Sequence, residues 1–109
     1  MKRFMTQGRF TQAWAKGMIA APEDRGAAVR QLVEAAGAKL VEFYLTTGAH
    51  DFLMVIEADE IEPVMAVAMA SGAAGTVADL TTFRAWTTAE FMPIARASAK
   101  ATAAYRVPG

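Results

Sequence analysis

The sequence predicts an α+β domain built on a four-stranded antiparallel sheet. Segments rich in β-branched and aromatic residues alternate with helical patterns in the order β, α, β, β, α, β, α, and a short glycine-containing turn joins the two central strands. The chain has 109 residues, of which 54% are hydrophobic and 20% are charged, and this composition suits one buried core. We therefore expect a single domain, with residues 1–87 as the core and residues 88–109 as a C-terminal helix and tail.

The first half of the chain predicts one strand and one helix. Residues 4–10 suit a strand, after which the chain leaves the sheet near Trp14. Pro22 stands at the expected first helical position, and the two acids after it complement a helix N-terminus. The helix that follows has one apolar face and is expected to end at Gly37. The residues of that face are Val29, Leu32, Val33 and Ala36.

The second half predicts a hairpin, a helix, a strand and a terminal helix. Residues 39–47 and 52–58 suit strands that residues 48–51 connect. Asp59 and Glu62 form a candidate capping box for a helix that runs to about Ser71. Residues 76–86 suit a last strand, and residues 88–90 open an alanine-rich helix. This order is that of the split βαβ, ferredoxin-like arrangement, with strand order 4-1-3-2 and both central helices on one face.

Both faces of the central hairpin are apolar, whereas a sheet covered on one face should alternate apolar with polar residues. In residues 52–58 one face carries Phe52, Met54 and Ile56, and the opposite face carries Leu53 and Val55. In residues 39–47 one face carries Val41, Phe43 and Leu45, and the opposite face carries Leu40 and Tyr44. The second predicted helix is apolar nearly all round, which is typical of a buried helix. An uncovered second sheet face would be a larger apolar patch than soluble monomers usually expose. We therefore expect the chain to associate with itself, as a homodimer or a larger homo-oligomer.

Composition and charge exclude several functional classes. The net charge is zero, so the chain lacks the basic surface that nucleic-acid binding needs. There is no cysteine and only one histidine, so we expect no metal site and no cofactor. No apolar run is long enough to span a membrane, and no apolar segment of a signal peptide follows the first residues. We therefore expect a cytoplasmic protein with no membrane or nucleic-acid partner.

His50 is the natural candidate for proton transfer, because its unperturbed pKa lies near neutrality. Three alternatives remain for it: a structural histidine that lines a turn, a ligand contact, or a metal ligand shared between symmetry-related copies. Asp51 is better explained as a turn cap than as a catalytic base.

Polar residues on the strands form the second group of candidates. Glu57 or Asp79 paired with Arg84 would be either a salt bridge between subunits, which we favour, or the polar end of a pocket. Tyr44 would place its phenol in the same cavity or make a cross-strand aromatic contact. The candidate ligand-binding residues are therefore Tyr44, His50, Asp51, Asp79 and Arg84.

Two residues near the first helix have local interpretations. Trp14, near the exit of the first strand, either floors a pocket or packs against the core. Arg25 follows two acids, and a local ion pair is the expected outcome.

Several segments in order together resemble the GYD domain family of small bacterial proteins. They are Thr11-Gln12-Ala13-Trp14, Pro22-Glu23-Asp24-Arg25, Phe43-Tyr44, Gly48-Ala49-His50-Asp51, Ile56-Glu57-Ala58, Ala70-Ser71-Gly72, Leu80-Thr81-Thr82, Glu90 and the ending Tyr105-Arg106-Val107-Pro108-Gly109. His50 stands where the family has its name-giving tyrosine. The resemblance implies a fold of the dimeric α+β barrel type and leaves the biochemical activity undefined.

Three functions fit these observations. The first is a non-catalytic homo-oligomeric module that binds a small, hydrophobic molecule or acts in regulation. The second is a small cofactor-independent enzyme, of the isomerase or monooxygenase type, that acts on a hydrophobic substrate with His50 as proton carrier. The third is a structural assembly protein. We rank binding first, because the sequence offers only one group that titrates near neutral pH and no clear acid–base pair.

Overall fold

A computed structural model describes residues 1–109 and confirms the predicted fold. The elements are β1 (Lys2–Phe10), α1 (Gln12–Ala20), α2 (Gly26–Ala35), β2 (Lys39–Leu45), β3 (Phe52–Ala58), α3 (Glu62–Ala73), β4 (Val77–Ala85) and α4 (Met92–Ala104). The four strands form one antiparallel sheet in the order β2-β3-β1-β4, as the split βαβ arrangement requires. The main difference from expectation is α1, a helix that the sequence patterns did not resolve.

Thr11 starts α1 directly after β1. Its side-chain oxygen accepts a hydrogen bond from the Trp14 backbone N–H at 3.4 Å and donates one to the Gly75 carbonyl at 2.6 Å. The sequence patterns predicted only that the chain leaves the sheet here. In the structure Thr11 instead caps α1 and links it to Gly75, just before β4.

Three predicted helix starts are wrong. The terminal helix α4 begins at Met92 rather than at residues 88–90. α2 begins at Gly26 rather than at Pro22, because the Asp24 carboxylate accepts the Gly26 N–H at 2.8 Å and the chain turns only there. α3 begins at Glu62 without a side-chain cap, so Asp59 lies too far ahead of the helix to act as its N-cap. A reciprocal capping box occurs instead before α4, where Thr87 and Glu90 exchange backbone-to-side-chain hydrogen bonds of 2.8 and 3.1 Å.

The core lies between the sheet and the helices α2 and α3. Alternate residues of β3 point into it, as predicted, and Val33 of α2 meets them from the helix side. The buried cluster comprises Phe4, Val33, Leu40, Phe52, Met54, Ile56, Ala58, Val64 and Val67. Thr6 is buried in the same layer, where its hydroxyl is hydrogen-bonded to that of Thr82 at 2.9 Å.

A register shift in β2 overturns the predicted side-chain alternation of that strand. Leu40 pairs with Ile56, but Glu42 pairs with Val55, so one extra residue is accommodated between them. Such a bulge moves every later side chain to the opposite face. Leu40 and Phe43 therefore both face the helices, whereas the sequence pattern had placed them on opposite faces.

The sheet face opposite the helices carries apolar residues and is uncovered in the single chain. Its central row runs across the sheet through Val55, Met5 and Phe83. Leu53 lies in the next row beside Tyr44, whose side chain is exposed. We call this surface the open face.

α4 projects away from the core. Every residue from 86 to 109 is exposed, and the longest dimension of the chain is 62 Å. The radius of gyration is 17.9 Å, against about 13 Å for a compact chain of this length. This helix does not dock on its own chain, and Phe91, Ile94 and Tyr105 remain exposed.

Candidate functional site

An apolar cavity of about 280 Å³ lies between α2 and α3, above the end of the sheet where β1 finishes. Phe52 and Met54 of β3 form its buried floor, and Val29 and Leu32 of α2 form part of its wall. The lining is hydrophobic except for Arg25, Ser71 and Thr76.

Four aromatic rings form a continuous series along this cavity. Trp14 and Phe10 stack with their ring centroids 3.6 Å apart and their planes within 4°. Phe10 lies 5.1 Å from Phe52, and Phe52 lies 6.0 Å from Phe43, both with tilted planes. The series presents both ring faces and ring edges, which suits a flat apolar ligand.

Asp51 and Gly8 position the aromatic rings. The Asp51 carboxylate accepts the Phe10 backbone N–H at 2.9 Å, and the Asp51 N–H donates to the Gly8 carbonyl at 2.7 Å. The sequence predicted Asp51 as a cap of the hairpin turn, whereas its carboxylate caps the end of β1. A Cβ at Gly8 would lie 2.8 Å from Cζ of Phe52 and 2.6 Å from Cδ2 of Leu80, so the absence of a side chain lets these two residues close over β1.

The mouth of the cavity lies between Arg25 and α3. Arg25, Ala70 and Ala74 are exposed, in contrast to the buried floor, and the two alanines leave room because their side chains are small. The guanidinium of Arg25 donates a 2.5 Å hydrogen bond to Glu23, which confirms the predicted local ion pair.

A second, shallower cavity of about 310 Å³ lies between α1 and the segment that leads into α2. It shares Trp14, Arg25 and Thr76 with the first cavity and adds Glu23. Trp14 and Arg25 therefore stand at the boundary between the two.

The residues predicted for the site do not come together. Tyr44 lies on the open face, and Arg84 lies on the helix side of β4, where its guanidinium sits 4.7 Å from the Trp86 ring centroid and 5.8 Å from that of Phe4. His50 lies in the turn between β2 and β3, where its backbone carbonyl accepts the Thr46 hydroxyl at 3.0 Å.

Asp79 has a left-handed backbone (φ 53°) where the β1–β4 register shifts. No hydrogen bond joins any two of the five predicted residues, and none of them lines either cavity described above.

Glu57 has a partner other than those expected. Arg3 donates a 2.7 Å hydrogen bond to it across the β1–β3 pair, within one chain, and Arg84 bonds neither Glu57 nor Asp79. The hydrogen bond from Arg3 holds the pKa of Glu57 below its ordinary value, against a smaller opposing effect of burial. The pair lies on the open face, so a partner subunit there would cover it.

No group of three or more His, Cys, Asp and Glu side chains is placed to hold a metal ion. None of the helices combines the length and the apolar character that crossing a membrane requires.

A sequence model of the GYD domain matches residues 4–95, which include the sheet except for Lys2 and Arg3 of β1, both core helices and the cavity. The chain belongs to the GYD domain family. No curated protein matches this GYD domain.

Three solved structures share the fold of this GYD domain. TTHA0845 from Thermus thermophilus has a TM-score of 0.51 at 16% identity, covering 81% of this chain and 96% of its own. MtbAldR has a TM-score of 0.54 at 16% identity, covering 79% of this chain and 52% of its own, so the GYD domain spans about half its length. FFRP-DM1 has a TM-score of 0.50 at 13% identity, covering 79% of this chain and all of its own. Identities this low show a common fold alone.

Proposed function

We propose that this GYD domain is a non-catalytic, homo-oligomeric module that binds a small, hydrophobic molecule, in a carrier or regulatory role, in the cavity between α2 and α3. The observation that carries the proposal is the cavity itself, which is open to solvent and lined by four aromatic rings. The volume of this apolar space is about 280 Å³. It lies near the lower end of the roughly 300–1,000 Å³ that ligand sites occupy.

The chemistry of the lining favours binding over catalysis. Ser71 donates its hydroxyl to the Val67 and Ala68 carbonyls of its own helix, so it is already satisfied as a donor. The guanidinium of Arg25 has N–H donors and no acceptor, so it cannot serve as a base. The alternative, an enzyme with His50 as proton carrier, would need that side chain near the cavity, and His50 lies outside its lining.

The open face supports the proposal of self-association. Val55, Met5 and Phe83 form a row across three strands, with Leu53 beside it. Val55 is already buried within the chain, whereas Met5, Leu53 and Phe83 still expose apolar surface. A large apolar side chain contributes about 1.5–3 kcal/mol when it passes from exposed to fully buried. Association costs about 4–15 kcal/mol, so the contact has to include most of the face. Two copies that face each other through their sheets would bury it on both at once, in an isologous dimer.

The binding proposal is tested with a neutral aromatic probe, indole-3-ethanol, and two-dimensional ¹⁵N NMR. The protein has two tryptophans, so the indole N–H signal of Trp14 reports binding at either of the two cavities that this residue borders, and that of Trp86 is an internal control. The Ala74→Phe variant below assigns the binding to the first cavity, because Ala74 lines that cavity alone. We expect the probe to shift the Trp14 signal and to leave that of Trp86 in place.

Ala74→Phe should weaken binding, because it places a ring at the mouth of the cavity. Ala66→Phe is the matched control, on the exposed side of the same helix and outside the lining. If the chemical shift of the Trp14 indole N–H stays constant up to the solubility limit of the probe, the binding proposal is refuted.

A further inference from the structure

We infer that the ligand of the cavity is an anion: a small planar aromatic molecule whose ring lies against Phe10 and Trp14 and whose carboxylate binds Arg25 at the mouth. The inference rests on the proposed binding function and adds to it the chemical class of the ligand. We base it on the positions of the charged and apolar side chains that line the cavity.

The lining of this cavity is almost free of charged side chains. Arg25 is the single charged residue of the lining, and it stands at the solvent end beside the exposed Ala70 and Ala74. The opposite end is the buried floor of Phe52 and Met54, which offers no polar side chain. An amphipathic ligand therefore has one favourable orientation, with its apolar part on the floor and its polar group outward.

The guanidinium of Arg25 has free capacity for an anion. It carries five N–H donors, and the structure uses Nη1 alone, in the bond to Glu23. The remaining donors fit the two oxygens of a carboxylate, which arginine binds in a bidentate manner. Glu23 lines the neighbouring second cavity rather than this one, so it holds the arginine in place from outside the site.

The shape and volume of the cavity limit the size and the flatness of the apolar part of the ligand. The Phe10–Trp14 stack presents parallel planes at 4°, and its neighbour Phe52 is tilted by 34°. A flat ring packs well against such walls, either face on or edge on. The volume of about 280 Å³ suits a molecule of one or two rings rather than a long acyl chain.

The experiment compares two probes that share the indole ring, indole-3-acetate, whose side chain ends in a carboxylate, and indole-3-ethanol, whose side chain ends in a neutral hydroxyl. Affinities are measured by calorimetry and by the Trp14 indole N–H shift. The wild type should bind the acetate about tenfold tighter or more than the alcohol, because the charged hydrogen bond is available to the acetate alone.

Arg25→Gln should lower the affinity for the acetate about tenfold or more, so that the preference for the acetate over the alcohol is abolished. Arg9→Gln is the matched control, because Arg9 is an exposed arginine of β1 outside both cavities, and it should retain the full preference. The ¹⁵N spectra of both variants establish that the fold is intact.

The outcomes separate this inference from the proposed function. Equal affinity of the wild type for both probes, or a preference that survives in Arg25→Gln, overturns the anionic ligand while cavity binding stands. If neither probe shifts the Trp14 signal, the proposed function fails and the inference fails with it.

Discussion

Phe10 and Trp14 stack face to face, with ring centroids 3.6 Å apart and planes within 4° of parallel. Phe10 is the last residue of β1, and Trp14 lies in the first turn of α1. Thr11 between them makes the turn tight, because it caps the helix and also donates to the Gly75 carbonyl. The stack therefore fastens α1 to the sheet and at the same time forms one wall of the cavity.

Replacing Trp14 by alanine should remove both roles. We expect Trp14→Ala to lower the free energy of unfolding by about 2 kcal/mol, since the ring is half-buried and its stacking is lost. Ile19→Ala on the same helix is the control, because Ile19 is 81% exposed, and it should cost less than about 0.5 kcal/mol. Urea denaturation followed by circular dichroism measures both. Equal costs for the two variants would contradict the structural role of the stack.

Two glycine-to-alanine substitutions should have opposite effects. Gly8→Ala would place its Cβ 2.6 Å from Leu80 and 2.8 Å from Phe52, and this overpacking should cost about 1–3 kcal/mol. Gly17→Ala lies in α1, where nothing approaches within 4 Å, and should stabilise the protein by about 0.5–1 kcal/mol. Thermal unfolding of the two variants checks the signs. If Gly8→Ala is as stable as the wild type, the side chains of Leu80 and Phe52 can move to accommodate the added methyl group.

The fold was predictable because it depends on strong periodic signals. The apolar alternation of β3 and the amphipathic face of α2 both agree with the structure, and the hairpin between β2 and β3 follows from its turn. The bulge at Val41 left no such signal, because an inserted residue changes the side-chain alternation without a change in composition. The positions of Leu40 and Phe43 relative to each other were therefore wrong.

The candidate site was much less predictable than the fold. The sequence prediction chose polar residues, most of them on strands. The cavity is instead lined by the rings of Phe10, Trp14, Phe43 and Phe52, which come together only in the folded chain. Their common signal was aromatic character near strand ends, which packing explains equally well. Small residues such as Ala70 and Ala74 matter because of the space they leave, and a sequence does not show space.

The Arg3–Glu57 pair should make stability depend on pH in the acid range. The hydrogen bond from Arg3 holds the pKa of Glu57 below its ordinary value of 4.5 in the folded protein. The folded-state pKa is lowered, so the contribution of the pair is complete above the unfolded-state pKa and is lost as the pH falls through the folded-state value.

Glu57→Gln should therefore lower the melting temperature at about pH 7 and make little difference at about pH 2. Glu34→Gln, an exposed acid of α2 whose side chain makes no hydrogen bond, is the control and should show no such dependence. Melting curves across the pH range give the comparison. A Glu57→Gln effect of constant size would rule out the electrostatic explanation.

Phe83→Lys should dissociate the proposed oligomer. Phe83 lies on the open face and is 39% exposed, so the isolated chain tolerates the change, whereas an apolar interface would have to bury the new charge. Light scattering should then give a mass near the 11.6 kDa of one chain. Ile19→Lys on α1 should leave the mass of the wild-type assembly unchanged. A wild-type protein that is monomeric at micromolar concentration would contradict self-association.

The helix α4 should depend on that association. It has 13 residues, all of them exposed, and it begins beyond the Thr87–Glu90 capping box. Isolated helices shorter than about 12–15 residues are marginal in water, so a cap and a run of alanines leave α4 only partly formed without a partner. Its exposed Phe91, Ile94 and Tyr105 supply the apolar contacts that a neighbouring copy would bury.

We therefore expect amide exchange of residues 92–104 to be slow at concentrations where light scattering reports an oligomer and to become fast on dilution to the monomer. Amides of β3 serve as the internal reference, since their hydrogen bonds lie in the middle of the sheet and should stay protected at every concentration. Slow exchange in α4 at dilutions where the protein is monomeric would show that the helix needs no second copy, because its own sequence would then be sufficient to hold it.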